Sequence, residues 1–119
     1  MADFNAKEYV AGLVEKARAA QAVAENFTQE DCDLMTAAVT YEMTKPENIK
    51  MFAEMLVEES GMGIPADKES KIIGKVWGSY LQMKDKKTVG LVEENPETGM
   101  QAYAKPMGVV AGIMPVTNG

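Results

Sequence analysis

Cysteine is the first residue type in this chain that could carry chemistry, and it occurs once, as Cys32. The chain has no histidine that could activate this thiol as a nucleophile. Asp31 and Asp33 flank it, and nearby negative charge disfavours the thiolate. Cys32 also shares an apolar helical stripe with Met35 and Val39. We therefore interpret Cys32 as an inert core residue rather than a catalytic one.

A second candidate is Asn118, whose side-chain amide could donate a hydrogen bond to a developing oxyanion. It follows the apolar run 109–114. Ligands of open α/β sheets bind outside the carboxyl ends of strands, which is where Asn118 falls. Asparagine is also a common turn residue, and the residues alone leave both interpretations open.

The carboxylates of Glu54, Glu58 and Glu59 could suggest acid–base chemistry, but a solvated helix face explains them better. The absence of histidine removes the commonest metal ligand, and we expect no metal site. The glycines do not match the spacing of a dinucleotide-binding or phosphate-binding loop.

The composition limits the function classes further. The chain has 119 residues, enough for one domain, and a net charge of −6, which disfavours binding to nucleic acids and anionic membranes. The N-terminal residues lack a basic segment followed by an apolar core, so we expect no secretory signal. A lone cysteine fits a reducing compartment, and we expect a cytoplasmic protein.

The elements that must position these residues follow from the hydrophobic periodicity. Spacings of three and four predict four helices, at residues 5–24, 28–44, 47–61 and 66–83. After Lys87 the pattern becomes β-like, and the turn Asn95-Pro96-Glu97-Thr98-Gly99 predicts a hairpin.

The run 109–114 is apolar without alternation, as in strands that are buried on both faces of a parallel sheet. Such a strand needs a parallel neighbour, reached through a crossover of about a dozen residues. We expect the chain to be the opening of a longer α/β protein. The expected parts are a helical part (1–87), a hairpin (88–106) and the start of a nucleotide-binding domain (107–119).

The stretch AKPMGVVAGIMPVTN, from Ala104 to Asn118, resembles a signature of the CoA-acylating aldehyde dehydrogenases. These include acetaldehyde dehydrogenases, the N-terminal half of bifunctional aldehyde–alcohol dehydrogenases and CoA-dependent succinate-semialdehyde dehydrogenases. Other stretches agree in order, namely LVEKARAAQ (13–21), FTQE (27–30), ESGMG (59–63) and KDKKTVG (84–90).

The resemblance implies an aldehyde dehydrogenase-like N-terminal segment of α/β class, with four helices, a hairpin and the first strand of a nucleotide-binding sheet. It implies NAD as cofactor and an aldehyde and CoA as substrates. Asn118 matches the family's oxyanion-stabilising asparagine. By the same resemblance, the cofactor site would be lined by Met114, Pro115, Val116 and Thr117. Gly119 departs from the family, which usually has proline there.

The hairpin resembles strands that help to build the family's oligomerisation sheet, which implies a homo-oligomer. The family's catalytic cysteine lies in a later domain that has no counterpart here, so we expect these 119 residues alone to be inactive. A non-catalytic helical module for interaction or oligomerisation is the alternative that the residues leave open.

Overall fold

Four helices precede a two-stranded sheet in the computed structural model, which describes residues 4–116. The helices are α1 (Ala6–Ala24), α2 (Gln29–Thr44), α3 (Pro46–Ser60) and α4 (Pro65–Met83), and the strands are β1 (Gly90–Asn95) and β2 (Met100–Ala104). The predicted helices are confirmed to within one residue at each end. The fold class is likewise confirmed as an incomplete α/β N-terminal segment.

The helix boundaries have local causes. The Asn5 side chain accepts a hydrogen bond of 3.2 Å from the backbone N–H of Glu8, which caps the first turn of α1. Proline occupies the first position of both α3 and α4, where its missing N–H leaves no helical hydrogen bond unmade. Gly61 ends α3 with a φ of 65°, a left-handed conformation that favours glycine.

The chain divides into two compact units. One contains the residues up to Gln29 together with Lys87–Gly112, and therefore holds α1 and the hairpin. The other contains Glu30–Lys86 and the residues from Ile113 onward, and holds the rest of α2 with α3 and α4.

In the second unit, α3 packs against α4. Among the described residues the buried side chains are Ile49 and Ala53 of α3, which are 6% and 0% exposed, and Thr40 of α2. The Thr40 hydroxyl donates a 2.8 Å hydrogen bond to the carbonyl of Thr36, so this buried polar group is satisfied.

The apolar stripe of α2 is buried only in part in this single chain. Cys32 is half-buried, but Met35 and Val39 of the same stripe are 46% and 58% exposed. The apolar stripe of α1 is also largely open to solvent at Val10 and Leu13. An apolar helical stripe is buried only when another element covers it, and these faces lack such cover within residues 4–116.

The hairpin is confirmed. β1 and β2 pair antiparallel, with Gly90 opposite Ala104 and Asn95 opposite Met100. Leu91 pairs with Tyr103 and Glu93 with Ala102, so Val92 is an extra residue that forms a β-bulge.

The strand predicted over residues 109–114 is not formed. Residues 105–115 adopt neither helix nor strand, and Ile113 is 96% exposed. A strand exists only through hydrogen bonds to a neighbouring strand. In the described part of the chain, β1 and β2 pair with each other in a two-stranded sheet that does not include this run.

Candidate functional site

The segment 107–116 holds the described part of the site that the sequence predicts. Met114 and Val116 are 76% and 61% exposed, and Pro115 between them is also exposed. Thr117 and Asn118, the other two predicted site residues, lie outside the described residues. The structure therefore brings three of the five predicted residues together as neighbours on an open stretch of chain.

The chemistry of this segment is that of an apolar strip with accessible main-chain groups. No residue from Met107 to Val116 has a charged side chain. Gly108 has a φ of 89°, a conformation that L side chains rarely adopt, so the chain turns there after Pro106. Main-chain N–H and C=O groups outside regular structure are free to contact a ligand, and the apolar side chains can pack against one.

Cys32, the other candidate, lies in the first turn of α2. Its backbone carbonyl accepts a 2.8 Å hydrogen bond from the Thr36 hydroxyl, a side-chain contact that threonine commonly makes within a helix. Its side chain is half-buried. Nothing in this geometry supplies the base that a nucleophilic thiol requires.

The predicted solvated face of α3 is also present. Glu54 forms an exposed ion pair with Lys50, with 4.0 Å between Nζ and Oε1. Such surface pairs contribute little to stability. The residues from 4 to 116 contain no group of three or more Cys, Asp or Glu side chains that could hold a metal ion.

Two polar clusters were not anticipated from the sequence. At the junction of α2 and α3, Lys45 donates hydrogen bonds to Glu42 and its Nζ lies 4.9 Å from the centroid of the Tyr41 ring. The hydrogen bond to Glu42 raises the pKa of Lys45 above its ordinary value. The three-residue spacing of Glu42 and Lys45 on a helix end is a signal that could have revealed this pair.

The second cluster joins residues that are far apart in sequence. The side-chain oxygen Oε1 of Gln29 accepts hydrogen bonds from the backbone N–H of Thr88 at 2.8 Å and of Val89 at 3.2 Å. The Thr88 hydroxyl lies 3.4 Å from the same oxygen. Gln29 lies 59 positions from Thr88 and 60 positions from Val89 in the sequence. Hydrophobic periodicity relates only near neighbours in the chain, so it gives no signal for this contact.

None of the helices within residues 4–116 combines the length and the apolar character that crossing a membrane requires.

Comparison with known proteins gives consistent matches to one group of enzymes. The chain is 45% identical over 109 residues to an acylating sulfoacetaldehyde dehydrogenase of Bilophila wadsworthia, covering 92% of this chain and 24% of that protein. It is 42% identical over 109 residues to an acetylating succinate-semialdehyde dehydrogenase of Clostridium kluyveri, covering 89% and 23%. It is 37% identical over 106 residues to the bifunctional aldehyde-alcohol dehydrogenase of Escherichia coli, covering 89% and 12%.

No family model matches the chain. The chain spans about a quarter of the length of three curated relatives that it matches, with 24%, 22% and 23% of their residues. The similarity nevertheless extends along nearly all of this chain, at 42–45% identity. The resemblance inferred from the residues is therefore confirmed: along about nine tenths of its length, this chain is similar to aldehyde dehydrogenases named as acylating or acetylating.

Proposed function

We propose that this chain forms the N-terminal part of an NAD-dependent, CoA-acylating aldehyde dehydrogenase. The reaction converts an aldehyde, CoA and NAD⁺ to acyl-CoA, NADH and a proton. The observation that carries this proposal is the 42–45% identity, along about nine tenths of the chain, to enzymes named for acylating or acetylating aldehyde oxidation. The names of these relatives give sulfoacetaldehyde and succinate semialdehyde as substrate candidates.

In this proposal Asn118 is the chain's catalytic residue. A cysteine thiolate from beyond these residues adds to the aldehyde carbon, and the carbonyl oxygen becomes an oxyanion. The side-chain N–H of Asn118 donates a hydrogen bond to that oxygen and stabilises the charge as it develops. Loss of a hydride from that carbon to the nicotinamide would leave a thioester, and attack of the CoA thiol on this thioester would release acyl-CoA and return the cysteine thiol.

NAD contact is assigned to Met114, Pro115, Val116 and Thr117. The exposed apolar side chains of Met114 and Val116 fit one wall of a nucleotide site, with main-chain groups available for hydrogen bonds. The segment 107–116 has no charged side chain, so groups elsewhere must neutralise the two phosphates. A bound NAD⁺ would supply the hydride acceptor that this oxidation needs.

The remaining parts of the proposal concern organisation. We assign residues 1–87 to the helical part, 88–106 to an oligomerisation hairpin and 107–119 to the start of the NAD-binding domain. Within residues 4–116 the sheet has two strands, and their outer edges support a homo-oligomer, because an edge strand is a template for pairing with another chain. The single cysteine, which cannot form an internal disulfide, supports a cytoplasmic location.

The first experiment measures NADH formation by the 119-residue chain with CoA, NAD⁺ and each of three aldehydes: sulfoacetaldehyde, succinate semialdehyde and acetaldehyde. We expect no turnover, because the only thiol is Cys32 and no base activates it. Turnover that survives Cys32→Ser would contradict the requirement for a cysteine beyond these residues. Turnover abolished by Cys32→Ser would place the nucleophile in α2 instead.

The second experiment joins the 119 residues to the remaining sequence of the Clostridium kluyveri relative. We expect this chimera to form NADH from an aldehyde and CoA. Asn118→Ala in the chimera should lower kcat about a hundredfold with little change in NAD affinity. Asn118→Asp is a matched control that keeps the size but replaces the donor by an acceptor, and it should be at least as damaging. Full activity of both variants would contradict the role of Asn118.

A second candidate function is a non-catalytic module for interaction or oligomerisation. It is supported by the apolar side chains exposed on α4, namely Ile73, Trp77 and Leu81. Sedimentation of the 119-residue chain tests it, with Trp77 fluorescence as a second readout. Reversible association that Trp77→Ser weakens would support the module, whereas a strictly monomeric chain at high concentration would contradict it.

A further inference from the structure

The side chain of Gln29 binds the backbone just before the first strand of the hairpin, through hydrogen bonds that belong to no helix or sheet. Its side chain is half-buried at the first position of α2, and its Oε1 accepts from two consecutive backbone amides. Those amides belong to Thr88 and Val89, which immediately precede β1. All of these residues belong to the unit that contains α1 and the hairpin.

The two amides need this acceptor because the sheet gives them none. The ladder between β1 and β2 starts at Gly90, opposite Ala104, so Thr88 and Val89 lie before the first pair. Val89 and Gly90 are half-buried, which limits the access of water to the Val89 N–H. A partly desolvated donor that loses its partner costs free energy, so the Gln29 oxygen stabilises this entry conformation.

A single oxygen that binds two successive amides also fixes direction. Two backbone N–H groups that converge on one acceptor restrict the backbone dihedral angles between them, as in the backbone nests that bind anions. The backbone direction at residues 88–89 is therefore fixed, and with it the position at which β1 begins.

We propose that Gln29 is the positioning residue of the hairpin. Its amide oxygen fixes the orientation in which β1 and β2 project from the α1–α2 connection. The ladder hydrogen bonds and the Asn95–Gly99 turn hold the two strands to each other. Gln29 sets where that pair points. This role concerns the fold of the chain itself and does not depend on the proposed enzymatic function.

The test uses three substitutions at Gln29 in the 119-residue chain. Gln29→Met keeps the length and removes the acceptor. Gln29→Asn keeps the amide but is one methylene shorter, so its oxygen does not reach residues 88–89. Gln29→Glu keeps the length and the acceptor, and its negative charge suits the first turn of a helix. Gln82→Met, at an exposed position of α4, is the matched control.

The first readout is amide hydrogen exchange followed by NMR. Gln29→Met and Gln29→Asn should accelerate exchange at Thr88 and Val89 about tenfold, since each substitution removes the hydrogen-bond acceptor of these amides. Gln29→Glu and Gln82→Met should stay within about threefold of the parent chain. Exchange at Ile49 and Ala53 in α3 should not change, which separates a local release from general unfolding.

The second readout is the orientation of the hairpin relative to α1, from residual dipolar couplings of backbone amides. In Gln29→Met the couplings of β1 and β2 should change together relative to those of α1, while the ladder amides stay protected. Gln29→Glu should restore the parent couplings. Unchanged couplings and unchanged exchange in Gln29→Met would overturn the proposal, as would equal acceleration at Thr88, Val89 and the α3 amides.

Discussion

The α3–α4 pair and the segment 107–116 are both rich in apolar residues, yet only the first buries any. Ile49 in α3 is 6% exposed, whereas Ile113 in the segment is 96% exposed. A helix makes its backbone hydrogen bonds internally, so α3 needs only a packing surface, which α4 provides as the next element along the chain. A buried strand needs a packing surface and hydrogen-bonding neighbours as well.

The hairpin shows what segment 107–116 lacks, namely a neighbouring strand that the chain itself supplies. β1 obtains its neighbour by turning back on itself, with the Asn95 side chain accepting hydrogen bonds from the amides of Glu97 and Thr98. Gly99 closes the turn with a φ of 68°. Segment 107–116 has no such return, so a strand-forming sequence stays without a strand.

The largest expected effect comes from Ile49→Ala in α3. Loss of this buried side chain leaves a cavity and should lower the free energy of unfolding by about 2–5 kcal/mol. Urea unfolding, followed by the helical signal in far-ultraviolet circular dichroism, measures this free energy. A loss below about 0.5 kcal/mol would mean that α3 and α4 do not form the core described here.

Overpacking the same core should have the next largest effect. Ala53 is 0% exposed, so Ala53→Leu forces neighbouring side chains apart and should cost about 1–3 kcal/mol. Ala66→Leu, on the exposed first turn of α4, is the matched control and should be close to neutral. Equal effects of the two substitutions would show that the α3–α4 packing tolerates extra volume.

Gly99→Ala tests the turn that distinguishes the hairpin from segment 107–116. Apart from Gly99 and its two chain neighbours, no atom of the described residues lies within 4 Å of the added Cβ. The cost therefore comes from the left-handed backbone and should be about 1–2 kcal/mol. The loss should appear as faster amide exchange in β1 and β2. Gly112→Ala, in the open segment without a positive φ, should leave exchange unchanged. Identical behaviour of both variants would argue against a turn-determined hairpin.

Ile113→Ala should have the smallest effect. Because the side chain is 96% exposed, its removal should change the free energy of unfolding of the 119-residue chain by less than about 0.5 kcal/mol. In the chimera with the succinate-semialdehyde dehydrogenase relative, the same substitution should cost about 2–5 kcal/mol once a sheet covers the strand. A large effect in the short chain would mean that the segment is already packed.

Local signals predicted the elements well and the core less well. Proline at the first positions of α3 and α4, and glycine after α3, fixed three helix ends that the structure reproduces. The stripe containing Met35 and Val39 has the period of a core face but is exposed, because periodicity identifies a face that can be buried and not what covers it. The site residues Met114 to Val116 are described as an open stretch, and the role of Asn118 stays a prediction.

The sequence by itself determined the helices, the turn of the hairpin and the similarity to CoA-acylating aldehyde dehydrogenases, because these depend on local preferences and on residue identity. Only the tertiary structure decided that Ile49 and Ala53 form the buried core, that residues 109–114 remain unpaired and that Gln29 binds the amides of residues 88–89. These outcomes depend on which elements meet in space, and contacts between residues about 60 positions apart leave no periodic trace in the chain.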